Sequence, residues 1–385
     1  MMGGGTVTRD WLARRWLDAA SALSPRGPAI SSRTVIGVFL LWGIGDAVLT
    51  TPFLHALRAA YPGARIVALG KPWLAELFGE EALFDEFVTL VPPWTRHSGK
   101  YRLWSRDWRE FARQAFAIRR GRFDLLISLR PDPRETALAC LLSVREFAGY
   151  PAAGGRRWVS VDLGRSIVDE PACYRGELAA QAAKELIGTR PDAQPILRRV
   201  PSQDLARQLA HAGYAGGPVL AVAFGAAHPI RRWTGQNIAE TLVRLRHRPG
   251  AYLIIETDNS PSFEVPGTVP TVRWRGSLAE LKGALALADV LFCADSGALH
   301  VGTAVGCRTV SVFGPGLPSR FAPRGPLHAH AVKPMPCRPC YDNCIHPSPL
   351  CMDRIEVDTV AELIDAALAK VTVPRLAGAA ERVSA

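Results

Sequence analysis

The chain has 385 residues, 48% hydrophobic and 21% charged, a composition that excludes global disorder, and its length exceeds one typical core and points to two domains. Its formal charge of +11 favours acidic partners such as nucleotides, nucleic acid or an anionic glycolipid surface. No apolar run approaches the ~20 residues that span a bilayer, and the N-terminus lacks the apolar stretch of a signal peptide, so a cytosolic location is expected.

Residues Thr8 to Leu23 read as a short amphipathic helix, with Leu12, Trp16 and Leu23 on one face and Arg14, Arg15 and Asp18 on the other. Its two tryptophans and three arginines suit peripheral contact with an inner membrane or docking on another subunit of a homo-oligomer. Pro25 to Ser32 follows as a linker.

A buried strand is expected over Thr34 to Trp42, then the turn Gly43-Ile44-Gly45-Asp46, a helix, and a second strand over Arg65 to Leu69. Gly-x-Gly after a strand invites a dinucleotide reading, but the third glycine is missing and Gly70-Lys71 stand where an acidic ribose ligand belongs. What remains is a glycine-lined turn presenting Asp46, either as a helix cap or to a ligand that approaches the backbone closely. Trp94 to Trp108 interleaves four Trp or Tyr with four Lys or Arg, and is expected to be an exposed segment. A strand over Asp124 to Leu129 runs into Arg130-Pro131-Asp132-Pro133-Arg134, a polar cluster on the same rim.

Pro191 to Pro201 carries three prolines and reads as an interdomain linker. Strands are then expected over Val219 to Phe224, Tyr252 to Ile255 and Thr271 to Trp274, and Ser277-Leu278-Ala279-Glu280 is a capping box. The loop Gly225 to Trp233 places Arg231 and Arg232 at a strand's carboxyl end, where paired arginines can grip a diphosphate. Ala288 to Gly314 reads as strand, Asp295-Ser296-Gly297 turn, helix, strand. A helix N-terminus at such a turn suits a phosphate, and His300 lies one turn further in.

Of eight cysteines, four cluster as Cys337-x2-Cys340-x3-Cys344-x6-Cys351 in a proline-rich loop. Four thiols at this spacing suit a structural metal, with His346 as a substitute ligand; free thiols or a disulfide pair are the alternatives, and spacing does not separate iron from zinc. A nucleic-acid partner is not expected, because the basic residues are dispersed and no recognition motif occurs.

Three stretches together, Gly45 to Ile66, Arg231 to Trp233 and Ala294 to Pro315, resemble glycosyltransferase family 9, the ADP-heptose heptosyltransferases, in order and spacing. The resemblance implies an α/β chain of GT-B architecture, two Rossmann-like domains facing across a cleft. Residues 33–190 form the acceptor domain and 201–375 the nucleotide-sugar domain, with 1–32 as the N-terminal helix and linker. It implies inverting transfer with no cofactor for catalysis, from a nucleoside-diphosphate sugar to a hydroxyl of a glycan, glycolipid or protein. By position, Asp46 matches the family's proposed general base, and Gly45 and Arg231 fall in its donor-binding motifs. Arg231 stands where the family has lysine. Asp295, Ser296, Gly297 and His300 match the donor turn. Arg232 is assigned to the donor as well, and Arg130, Asp132 and Arg134 to the acceptor. The family's acidic nucleoside contact has no clean counterpart, although Glu256 and Asp258 lie close by. The cysteine cluster resembles an iron-holding one in members that modify autotransporter proteins. The competing readings are a nucleotide-sugar epimerase and a non-catalytic nucleotide-sugar or glycan binder.

Overall fold

A computed structural model describes residues 34–95, 105–119, 123–151, 158–164, 173–340 and 343–376. The helix expected over Thr8 to Leu23 and the linker after it lie outside the described residues. The chain divides into two compact units between Ala193 and Gln194.

In the first unit, β1 (Val35–Leu40) leads into α1 (Ile44–Leu49), α2 (Thr51–Ala60), β2 (Arg65–Gly70), α3 (Leu74–Phe78) and β3 (Glu86–Thr89). There follow α4 (Arg106–Arg119), β4 (Leu125–Ser128), α5 (Pro133–Leu141), β5 (Glu146–Gly149), β6 (Val161–Asp162) and α6 (Arg175–Ile187). The sheet is parallel throughout, in the order β3-β2-β1-β4-β5-β6. Its central strands are buried along nearly their whole length, which is why they read as continuous apolar runs without alternation.

The second unit repeats this plan. It comprises α7 (Gln203–His211), β7 (Val219–Ala223), α8 (Gly235–Arg244), β8 (Ala251–Ile255), β9 (Thr271–Trp274), α9 (Leu278–Leu287) and β10 (Val290–Ala294). Then come α10 (Gly297–Ala304), β11 (Arg308–Phe313), α11 (Pro318–Phe321), β12 (His328–Val332), α12 (Leu350–Asp353) and α13 (Val357–Leu368). The order β12-β11-β10-β7-β8-β9, again parallel, is the first unit's order read from the other edge. Each is the doubly wound arrangement of a Rossmann half-pair, with one reversal of winding between neighbouring central strands.

The two units share a device at the amino ends of those central strands. Asp124, just before β4, accepts hydrogen bonds from the backbone N–H of Thr34 and Val35 at 2.9 and 3.0 Å. Asp289, just before β10, accepts from Val219 N at 2.9 Å. A buried carboxylate thus fixes the register of the pair that flanks each reversal.

The proline-rich stretch is anchored rather than free. Ala193 packs against Gly176 in the first unit, while Leu197 N donates to Ala304 O at 3.0 Å and Ser202 N to Gly283 O at 3.1 Å in the second. The expectation of exposure for Trp94 to Trp108 is corrected where it can be seen. Trp94 is buried, and Trp94, Trp108 and Phe111 form a cluster with ring centroids 5.1 to 6.0 Å apart. The cause is α4, whose apolar stripe of Phe111 and Ile118 faces the sheet and draws the neighbouring indoles in with it. Residues 96–104 of that stretch lie outside the described ones.

Candidate active site

Doubly wound sheets take ligands beyond the carboxyl ends of the strands that flank the reversal. In the first unit those strands are β1 and β4. The chain leaving β1 enters α1, so Gly45 and Asp46 sit in its first turn, one turn earlier than the expected helix start. Asp46 is the third helical residue, and its Oδ2 accepts from Gly43 N at 3.4 Å. The chain leaving β4 supplies Arg130, whose Nη1 donates to Asp46 Oδ1 at 2.9 Å. The Arg130 guanidinium carbon lies over the Trp42 indole, 3.7 Å from its centroid. Such stacking leaves the guanidinium edge free to donate within its own plane.

The other two residues assigned to the acceptor pair with each other. Asp132 is the N-cap of α5, accepting from Arg134 N at 2.9 Å, and it pairs with the Arg134 guanidinium at 2.6 Å. Arg134 in turn lies 5.4 Å from the Trp42 ring centroid and 5.9 Å from that of Trp94. A small recess open to solvent is lined by Trp42, Asp46, Arg130, Glu135, Arg175 and apolar residues of β1 and α1.

Glu135 is the residue the sequence reading missed. Asp132-Pro133-Arg134-Glu135 has the look of a capping box, which would place the glutamate in solvent. Instead it is buried, and its oxygens accept from Trp42 Nε1 and Ser128 Oγ, each at 2.5 Å. Burial, reinforced by neighbouring Asp132, pushes its carboxyl up to about 7. The only signal in the sequence was its separation by seven residues from Ser128 across a strand end, which is too common to single out.

In the second unit the flanking strands are β7 and β10. After β7 a 3-10 turn, Pro229–Arg231, presents Arg231, and after β10 comes Asp295. They meet: Arg231 Nη1 donates to Asp295 Oδ2 at 3.3 Å, with the arginine side chain 31% exposed and the aspartate 5%. Arg232 is used differently, donating to Ala226 O at 3.1 Å and Asn259 Oδ1 at 2.9 Å, which ties two loops of the rim together. Ser296 is the N-cap of α10 but makes no side-chain capping bond, so its hydroxyl is not spent on capping. Gly297 opens the helix, and His300 is buried one turn in. Gly306 ends it in a left-handed conformation, φ 84°, as a C-terminal stop should. Glu256 pairs with Arg273 at 2.7 Å and Asp258 pairs with Arg275, both at the end of β8.

The cysteine loop runs up to this rim. Arg338 Nη2 donates to Gly316 O at 2.8 Å, and Gly316 is backed so closely on Asp295 that a Cβ there would lie 2.4 Å from Oδ2. Cys351 is buried in α12, and burial raises its thiol while the positive charge of Arg338 opposes the rise. Cys340, Cys337 and Cys344 all lie within electrostatic reach of it. The donor set therefore has the chemistry of a tetrahedral thiolate site. Among the described residues, no three His, Cys, Asp or Glu side chains are drawn close enough to share an ion. Among the described residues, no helix is long and apolar enough to cross a membrane.

Two Rossmann-order sheets, each gathering an arginine and an aspartate beyond the central reversal, have the fold of the GT-B heptosyltransferase structures. Residues 113–347 match the profile of glycosyltransferase family 9 (heptosyltransferase). Lipopolysaccharide heptosyltransferase 1 of Pseudomonas aeruginosa is 23% identical over 351 residues, covering 84% of this chain and 95% of the relative. E. coli heptosyltransferase WaaC, solved with ADP-2-deoxy-2-fluoro heptose, superposes with a TM-score of 0.62 at 15% identity, over 86% of this chain and 99% of its own. The iron-containing dodecameric glycosyltransferase TibC from enterotoxigenic E. coli superposes at 0.54 and 14%, over 90% and 78%. The chain belongs to glycosyltransferase family 9. It is an enzyme of sugar transfer, which sets aside the non-catalytic reading. The matched stretch holds Arg231, Asp295 and His300, while Asp46 precedes it.

Proposed function

We propose that this enzyme is an inverting transferase that moves a heptose from ADP-heptose to a hydroxyl of the lipopolysaccharide core, with Asp46 as general base. The observation that carries the reading is the division of labour between the two rims: Asp46 held by Arg130 in one unit, and Arg231 with the α10 N-terminus in the other. Inverting transfer needs a base that takes the acceptor hydroxyl's proton as its oxygen attacks the anomeric carbon opposite the leaving group. A carboxylate fixed on two sides is suited to that task. The departing nucleoside diphosphate accumulates negative charge, which Arg231 and the helix N-terminus can receive. Asp295 sets the position of Arg231, and Arg232 shapes the loop that carries it.

The P. aeruginosa relative acts on lipopolysaccharide and WaaC was solved with an ADP-heptose analogue, which supports this donor and acceptor. A net charge of +11 suits an anionic glycolipid at the cytoplasmic face of a membrane. Cys337, Cys340, Cys344 and Cys351 would hold a structural iron or zinc, which would stiffen the loop behind Asp295 and take no part in transfer.

The test is direct. Asp46→Asn should abolish heptose transfer to heptose-free lipopolysaccharide while ADP-heptose affinity by calorimetry stays within about threefold, because Arg231, Asp295 and the α10 N-terminus are untouched and the change at Asp46 leaves the Gly45 backbone in place. Wild-type turnover by Asp46→Asn would remove Asp46 as the base. Binding of a GDP- or UDP-sugar in preference to ADP-heptose would discard the donor.

A further inference from the structure

Glu135 sits where an apolar residue would be cheaper. It is 1% exposed, and a buried carboxyl costs free energy whether charged or neutral unless its oxygens are satisfied. Both are satisfied here by side chains from different strand ends: Trp42 follows β1 and Ser128 closes β4. The glutamate therefore ties together the two strands that flank the reversal, directly beneath the recess.

The same indole that donates to Glu135 carries Arg130 on its face, and Arg130 donates to Asp46. An indole can rotate about two side-chain torsions. A hydrogen bond at its Nε1 edge holds the plane against that rotation. Since Arg130 lies against the plane, its guanidinium edge, and with it the Asp46 carboxylate, takes its direction from the indole. Other charged groups around the glutamate are Asp132 and Arg130 from the β4–α5 loop, with Asp46 of α1 and Arg175 of α6 lining the same recess.

We propose that Glu135 and Trp42 are positioning residues for transfer: the carboxyl fixes the indole, the indole carries Arg130, and Arg130 aims Asp46 at the acceptor hydroxyl. This deepens the function proposed above and rests on Asp46 being the base. A base must be held to within about half an ångström of its productive geometry, and displacement by about 1 Å can lower turnover about a hundredfold.

The experiment is a kinetic cycle on the full chain with ADP-heptose and heptose-free lipopolysaccharide. Glu135→Leu and Trp42→Leu should each lower kcat about 10- to 100-fold, and the double variant should be no worse than the weaker single, because both break one chain of contacts. ADP affinity should stay within about threefold in all three, since no donor residue is touched. Glu135→Gln keeps a carbonyl oxygen for the indole and should retain at least about a third of wild-type kcat. A merely structural glutamate would not show this rescue. Where Glu135→Leu does not fold, Trp42→Phe serves in its place, keeping an aromatic face without the N–H, with kcat expected to fall about tenfold. Wild-type kcat in Glu135→Leu or Trp42→Phe, or losses that multiply in the double variant, would overturn the proposal. Asp46→Asn separates the two ideas. If that variant is inactive while Glu135→Leu and Trp42→Phe turn over normally, only the positioning role falls. If Asp46→Asn turns over, the base assignment falls with it.

Discussion

Replacing Arg231 by methionine isolates the Arg231–Asp295 contact, because methionine fills much of the space but removes the charge. At 3.3 Å and an effective dielectric of about 20, the pair interacts by about 5 kcal/mol. The arginine is 31% exposed, so solvent screening reduces this, and Arg338 offers Asp295 a second positive charge nearby. What remains is the cost of a carboxylate 5% exposed that has lost one partner, about 2 to 3 kcal/mol. For a unit of this size that corresponds to a fall in Tm of about 5 to 10 °C. The mirror variant, Asp295→Asn, should cost about 1 kcal/mol, because Arg231 can turn to water. Arg231→Met/Asp295→Asn should be more stable than Arg231→Met alone, since the buried carboxylate that lost Arg231 is gone. Urea unfolding of the three proteins at pH 7.5 would measure this. A loss under about 0.5 kcal/mol in Arg231→Met, or strictly additive losses in the double variant, would refute the reasoning.

Three further outcomes follow from the same rim and the sheet behind it. Gly316→Ala would drive a Cβ onto the Asp295 carboxylate, so ADP affinity by calorimetry should fall about tenfold with a Tm loss of several degrees. An unchanged affinity would mean the turn absorbs the intrusion. Cys340→Ser should lose the metal and some thermal stability; wild-type protein without iron or zinc by elemental analysis, after anaerobic purification, would end that assignment. His328 accompanies Thr309 Oγ1 at 2.9 Å, and burial, helped by Arg308, lowers its pKa to about 4. The unfolded chain therefore takes up this proton first as pH falls below about 6.5, and stability declines between 6.5 and 4. At pH 5 the loss should be about 2 kcal/mol, and His328→Gln should flatten the slope. An equal slope in both proteins would remove His328 as its source.

Much of the fold was legible in the residues. Strands buried on both faces leave unbroken apolar runs, so β1 and β7 fall within about two residues of the expected bounds. The capping box at Ser277 is confirmed, with Glu280 Oε2 accepting from Ser277 N at 2.8 Å. Helix starts were less certain: α1 begins at Ile44 because Gly43 serves as its cap, a role a glycine fills without any side-chain signal. The aromatic and basic interleaving near Trp94 suggested exposure because composition says nothing about which face of a helix meets a sheet.

The sequence by itself determined the elements and the family, and it identified Asp46, Arg231 and Asp295 as worth attention. Those follow from local pattern: apolar period, turn residues, and the order of three motifs. Only the tertiary structure decided which charges meet. Arg130 finds Asp46 from 84 residues away and Arg231 finds Asp295 from 64, because parallel winding brings the carboxyl ends of the two central strands side by side. It also decided that Arg232 ties two rim loops together, that Asp132 caps its own helix, and that Glu135 turns inward to an indole 93 residues earlier. Hydrogen-bond partners are chosen by distance and burial in three dimensions, and neither quantity is written in the spacing of residues along a chain.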